Sequence, residues 1–78
     1  MAYWISETPK TSQRPNHREF DCDFRSDIAK LPRQGIEGEP QEGDNMAHLP
    51  CSYGSGAFCL EDSSVWELGK ETNTWQEL

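Results

Sequence analysis

Apolar and polar positions alternate along this chain only in short runs, separated by turn residues. The clearest run is Arg18-Glu19-Phe20-Asp21-Cys22-Asp23-Phe24, with Phe20, Cys22 and Phe24 on one side and Glu19, Asp21 and Asp23 on the other. A period of two marks a half-buried strand. Next, Ile28 and Leu31 lie three apart and share a face of a single helical turn over 26–31. Ser26 or Asp23 is the expected cap, and Pro32 ends the turn. From Gly54-Ser55-Gly56 onward the pattern predicts three strands, 57–60, 65–68 and 74–78. The turns between them are Glu61-Asp62-Ser63-Ser64 and Gly69–Asn73, which makes an antiparallel β-meander. Its register stays open, because the second turn has room for a bulge. The predicted core is Phe20, Phe24, Ile28, Leu31, Phe58, Leu60, Trp66 and Trp75, with Leu68 a further apolar contributor.

Outside these runs the chain lacks a period. Ala2-Tyr3-Trp4-Ile5 is β-prone but too short to stand alone, and Ser6 to His17 is polar with two prolines. Residues 33–50 hold three glycines, two prolines and four acids, a loop with no core of its own. A loop of that length in a small domain is either disordered or a contact element. The predicted fold is therefore mainly β, a small α+β domain: an antiparallel β-meander with one short helix and long extended arms. Residues 1–17 form an extended N-terminal arm, and residues 18–78 a small β domain with an irregular loop at 33–53. Tyr3, Trp4 and Ile5 are the expected anchors for a partner, since aromatic side chains give large contact area at low entropic cost. They add a strand to a neighbouring chain, or else Trp4 tucks into this domain's own core. Ile36, Met46 and Leu49 are the apolar residues of the loop that would share in such a contact. On this reading, removing residues 1–8 strips the protein from its partner and leaves the meander folded.

Composition sharpens this picture. The 78 residues are only 33 % hydrophobic, with a mean hydropathy of −0.90. A core this thin supplies about 3–5 kcal/mol and needs support from a disulfide, a metal or a partner. Net charge is −7, and residues 34–78 hold Lys70 as their one cation against nine acids. Such a chain repels phosphates, so sequence-independent nucleic-acid binding is not expected. Three cysteines, Cys22, Cys51 and Cys59, do not make a disulfide framework and fit a reducing compartment. A soluble chain is expected, with no secretory signal and no stretch long enough to span a membrane.

Candidate chemistry is sparse. His48 and Cys51 have H-x-x-C spacing, and Cys22 and Cys59 would complete a Cys₃His zinc site. No Cys-x-x-Cys knuckle supports it, and both strand cysteines suit small buried hydrophobes. Glu37, Glu39, Glu42 and Asp44 lack the ligand order of a calcium loop. The histidines and cysteines show no nucleophile elbow or orienting third group. Gly54-Ser55-Gly56 is followed by no lysine or helix and so is not a phosphate loop. The expectation is no enzyme, no cofactor and no metal.

Three features in order carry a resemblance: "Glu-Phe-x-Cys-Asp" (Glu19–Asp23) with "Asp-Ile-Ala-Lys-Leu-Pro" (Asp27–Pro32), a variable loop, and Gly54–Leu68 closing in "Asn-Thr-Trp-Gln-Glu-Leu" (Asn73–Leu78). This resembles small virion proteins of tailed bacteriophages of Gram-positive bacteria, some of them head fibre or capsid-associated proteins. Trp66 stands where that group more usually has tyrosine. The resemblance covers about half the chain. It implies a non-enzymatic structural protein of the virion, assembled in the host cytoplasm: a head fibre, decoration or auxiliary component docking by its N-terminal arm. The implied partner is the major capsid protein or another phage structural protein, with self-association into a homo-oligomer within the particle, and neither nucleic acid nor membrane. The alternative is an acidic DNA mimic that inhibits a host nuclease or defence system.

Overall fold

The computed structural model describes residues 2–7, 16–43 and 46–78. Five strands form one sheet: β1 Tyr3–Glu7, β2 Glu19–Cys22, β3 Gly56–Cys59, β4 Val65–Leu68 and β5 Trp75–Glu77. They lie side by side in chain order. β3, β4 and β5 form the expected antiparallel meander, with Ala57 opposite Trp66 and Leu68 opposite Trp75. The sheet as a whole is mixed, because β2 pairs with β3 in parallel, Cys22 opposite Cys59.

The chain start is not a free arm. Tyr3–Glu7 is the antiparallel edge strand beside β2, with Tyr3 opposite Cys22 and Ile5 opposite Phe20. Tyr3 is completely buried and meets Phe20 edge to face, with ring centroids 6.1 Å apart. Cutting residues 1–8 therefore removes core, and the meander loses one wall. Residues 8–15 of the expected arm lie outside the described residues.

A parallel pair needs a crossover, since the chain must return to the same end before running forward again. Residues 23–55 make it, and its described parts, 23–43 and 46–55, cover one face of the sheet. The crossover begins with a 3₁₀ helix, Arg25–Lys30. Neither Ser26 nor Asp23 caps it. Phe24 occupies the cap position, and the carboxylate of Asp27 reaches back to accept its backbone N–H at 2.9 Å. The same carboxylate accepts from Lys30 Nζ at 2.9 Å, so a buried charge is paired. Residues of the loop after the helix join the core of the domain. Pro32, Ala47 and Cys51 are buried, beside Ile28 and Leu31.

Hydrogen bonds pin this cover to the sheet. Tyr3 Oη donates to the Glu39 carbonyl at 2.6 Å, and Trp75 Nε1 to the Pro32 carbonyl at 3.0 Å. Buried Arg18 donates to the carbonyls of Leu49 and Pro50, at 3.3 and 3.0 Å. Asn73, at φ 53° in the β4–β5 turn, both donates to and accepts from the backbone of Gln34, at 3.1 and 3.0 Å. Asparagine tolerates that left-handed turn, and its amide then serves as a two-point clamp.

The core residues are Tyr3, Phe20, Cys22, Ile28, Leu31, Ala47, Cys51, Ala57, Cys59 and Leu68, with Trp66 and Trp75 packed against them. Three predicted core residues are not there: Phe24, Phe58 and Leu60 are 56, 37 and 50 % exposed. Phe24 falls past the end of β2, where the chain turns into the helix. On β3 the inward side chains are the small ones, Ala57 and Cys59. The space above them is taken by Phe20, whose other edge contact is Trp75, at 6.0 Å. No described helix is long and apolar enough to cross a membrane.

Phe20 thus joins two strands and should be the least replaceable residue. Phe20→Ala is expected to cost about 3–5 kcal/mol, the range for truncating a buried aromatic. That matches the whole stability of a domain this size, so the variant should be largely unfolded in urea titrations followed by tryptophan fluorescence. Phe24→Ala should leave the midpoint nearly unchanged.

Candidate interaction surface

With one face of the sheet covered by the crossover, strand alternation sends every second side chain to the other face. The registers place Trp4 opposite Asp21, Asp21 opposite Phe58, and Phe58 opposite Val65. The ladder continues through the Leu78 N–H, which donates to the Val65 carbonyl at 2.9 Å. One row of side chains, Trp4–Asp21–Phe58–Val65–Leu78, therefore crosses all five strands. Phe58, Val65 and Leu78 are exposed, and Trp4 is partly so. Leu60 extends the apolar surface beyond β3, where its N–H donates to the Cys22 carbonyl at 2.9 Å.

The neighbouring row is Glu19, Gly56, Glu67 and Gln76. Gly56 leaves open the space that the end of the Glu19 side chain occupies. The Glu19 carboxylate lies over that gap, 3.5 Å from His17 Nε2. Three acids, Glu19, Asp21 and Glu67, thus sit on the apolar face.

The described cations are all engaged elsewhere. Arg18 holds the crossover carbonyls and Lys30 holds Asp27. Arg33 donates to the Asn73 carbonyl at 3.4 Å, and Lys70 lies over the Tyr53 ring at 5.3 Å. Arg25 stands over the Trp66 ring at 4.9 Å and pairs with Asp62, at 3.0 Å, and with Glu77. The open face therefore carries negative charge with no lysine or arginine among the described residues.

Asp62 also turns the β3–β4 connection. It accepts from the Ser64 hydroxyl at 2.6 Å and the Ser64 N–H at 3.0 Å, and these bonds, with Arg25, hold its pKa well below the usual carboxylate range.

The cysteines form a different cluster. Cys22 and Cys59 face one another in the core as free thiols, and Cys51 is buried in the crossover. Burial, then the neighbouring Cys59, pushes the Cys22 thiol up to about 12. Burial also raises Cys51, against a weaker opposing pull from Ser55. His48 stands away from them, 3.4 Å from Glu37. Among the described residues no group of three or more histidine, cysteine or acidic side chains is placed to hold a metal ion. Asp44 of the acidic loop lies outside the described residues.

The expected contact residues are divided. Tyr3 and Ile5 belong to the covered face and Trp4 to the open one. Ile36 and Met46 are exposed and Leu49 half-buried, all on the crossover. They do not join Trp4 in one patch. The open-face residues missed by the sequence reading are Phe58, Leu60, Val65 and Leu78. Their signal was present but ambiguous, because Ala57–Leu60 is apolar at both parities.

Comparison with family models, with curated proteins and with solved structures returned no match.

Two titrations follow from these sites. The folded pKa of Asp62 lies below its unfolded value of about 4, so its contribution is present above that pH and is lost as pH falls through the folded value. Asp62→Asn should flatten the acid limb of the urea midpoint against pH. The folded pKa of Cys22 lies above its unfolded value of about 8.5. Its contribution is complete below that pH and is lost as pH rises toward about 12. A thiol reagent at neutral pH should find no reactive cysteine in the native protein and all three after denaturation.

Proposed function

We propose that this chain is a non-enzymatic structural protein of a tailed-bacteriophage particle: a capsid-associated head fibre, decoration or auxiliary component. The observation that carries the docking role is the row Trp4–Phe58–Val65–Leu78, left without a covering layer among the described residues on a sheet whose other face carries the crossover. A small protein with so thin a core gains more by burying large apolar side chains in itself than by presenting them to water. Side chains kept outside in a single row across five strands fit a contact surface. The virion assignment rests on the sequence resemblance of residues 18–32 and 54–78. On this reading the partner is the major capsid protein or another structural protein of the particle. The N-terminal segment still contributes to docking, through Trp4, but as a strand of the platform. The protein assembles in the host cytoplasm and acts without cofactor.

A DNA mimic needs carboxylates repeated over a rigid face, at the spacing of phosphates. The rigid face here alternates three acids with large apolar side chains, which suits a protein partner better.

Mass spectrometry of gradient-purified particles tests the assignment. The chain should be present in many copies per particle. Absence from particles, with copurification of a nuclease from infected cells, would replace this reading with the inhibitor.

A further inference from the structure

We propose that the outer edge of β5 accepts an extended segment of a partner as a sixth strand, one that carries an apolar residue followed two positions later by aspartate or glutamate. The inference concerns the edge of the sheet. It stands apart from the open face and from the virion assignment.

The bonds between β4 and β5 fix which backbone groups point outward. The Leu78 N–H donates to the Val65 carbonyl at 2.9 Å, and the Thr74 carbonyl accepts from the Gly69 N–H at 3.0 Å. Bonded and unbonded residues alternate along an antiparallel pair. Thr74, Gln76 and Leu78 therefore face β4, while Trp75 and Glu77 turn their N–H and C=O groups away from it. β5 is the last strand of the sheet, and among the described residues nothing pairs with those outward groups. Natural sheets often blunt an edge with proline or lysine, and Trp75-Gln76-Glu77 has neither. At the other edge the crossover already reaches the start of β1, where Gln41 Oε1 accepts from the Ala2 N–H at 2.7 Å.

A groove of about 400 Å³ lies beside β5, lined by Ile28, Ala29, Leu31, Arg33, Thr74 and Trp75. Ile28 and Leu31 are buried and give it an apolar floor, and the small Ala29 is exposed. An added strand would lie about 4.8 Å outside β5. Its residue opposite Trp75 shares the face of Trp75, so that side chain meets the groove. Two positions further on, the added strand stands opposite Asn73, whose carbonyl accepts from Arg33 Nη1 at 3.4 Å. That bond brings the guanidinium to the end of the edge, and no salt bridge holds it among the described residues. A carboxylate is the group that matches a guanidinium. The order, apolar before acidic, follows for a strand antiparallel to β5, the more stable pairing.

A helix does not fit an edge, because its own backbone groups are bonded internally. The β5 strand of a second copy does not fit either. Outward residues pair with outward residues, so only its Trp75 or Glu77 could stand opposite Trp75. Both side chains are committed, the Trp75 indole to the Pro32 carbonyl and Glu77 to Arg25.

The test uses the full chain, isotope-labelled, and the blocked peptide Thr-Thr-Leu-Thr-Glu-Thr. Three further peptides change one feature each: serine for the leucine, glutamine for the glutamate, and an N-methyl group on the leucine nitrogen, which removes a donor to the edge. The first peptide should bind saturably below about 1 mM. It should shift the amides of Ala29, Arg33 and Thr74 to Glu77, and slow hydrogen exchange of the Trp75 and Glu77 N–H groups. The serine and N-methyl peptides should bind about tenfold more weakly, and the glutamine peptide about threefold more weakly in low salt. Arg33→Gln should abolish the preference for glutamate over glutamine and keep the preference for leucine over serine. Retained amide dispersion confirms the fold of that variant. Equal binding of the N-methyl or the serine peptide, a glutamate preference that survives Arg33→Gln, shifts confined to β1 or the open face, or no saturable binding would overturn the proposal. So would protection of Trp75 and Glu77 that rises with protein concentration without peptide. Specific binding by a chain that is absent from phage particles would support the proposal and remove only the virion assignment.

Discussion

The parallel pairing of β2 with β3 is the constraint on which the rest of this structure depends. Two neighbouring strands that run the same way cannot be joined by a tight turn. The chain must cross over, and residues 23–55 do so on one side of the sheet. That detour is long for a 78-residue protein, and it is stable because it is used as the second layer. Ile28, Leu31, Pro32, Ala47 and Cys51 are its inward-facing contribution. Without the crossover, Phe20 and Tyr3 would face water. Without the sheet, the crossover would have no surface to fold on.

The packing on the covered face follows from how little space that second layer leaves. Small residues take the central strand positions, Cys22, Ala57 and Cys59, and the three rings of Tyr3, Phe20 and Trp75 meet over them. Buried cysteine serves here as a compact hydrophobe, and the raised thiol pKa values express the same burial. Several polar groups on the covered side are answered by specific partners. Arg18 meets two carbonyls, Asp27 meets Lys30 and a backbone N–H, and Asn73 meets Gln34. Arg18 and Lys30 are both held on the covered side by these bonds.

The candidate surface is thus a by-product of the cover. Filling one face with a crossover leaves the second face of every strand without a layer. The sequence places tryptophan, phenylalanine, valine and leucine there, where a solvent-only face would carry polar residues throughout. Large apolar side chains and carboxylates share that face. The proposed docking role follows from this division of the two faces, and the proposed place in a phage particle from the resemblance of residues 18–32 and 54–78.

Local pattern was enough to locate the strands. The alternation over 18–24 marked β2, the punctuated runs after Gly54 marked β3 to β5, and the spacing of Ile28 and Leu31 marked the short helix before Pro32. Each depends on side chains within a few residues of one another, which is the range over which periodicity speaks. Pairing is not local, and nothing in a period of two says whether β2 lies beside β3 in parallel or stands apart from it. Tyr3-Trp4-Ile5 therefore reads as an arm, although the register with Cys22, Asp21 and Phe20 makes it the edge of the sheet. The same limit decided the candidate site. In Ala57-Phe58-Cys59-Leu60 both parities are apolar, so size alone favours burying Phe58 and Leu60. Only the tertiary structure, with Phe20 and the crossover already filling the space above β3, turns the small pair inward and leaves the large pair facing out.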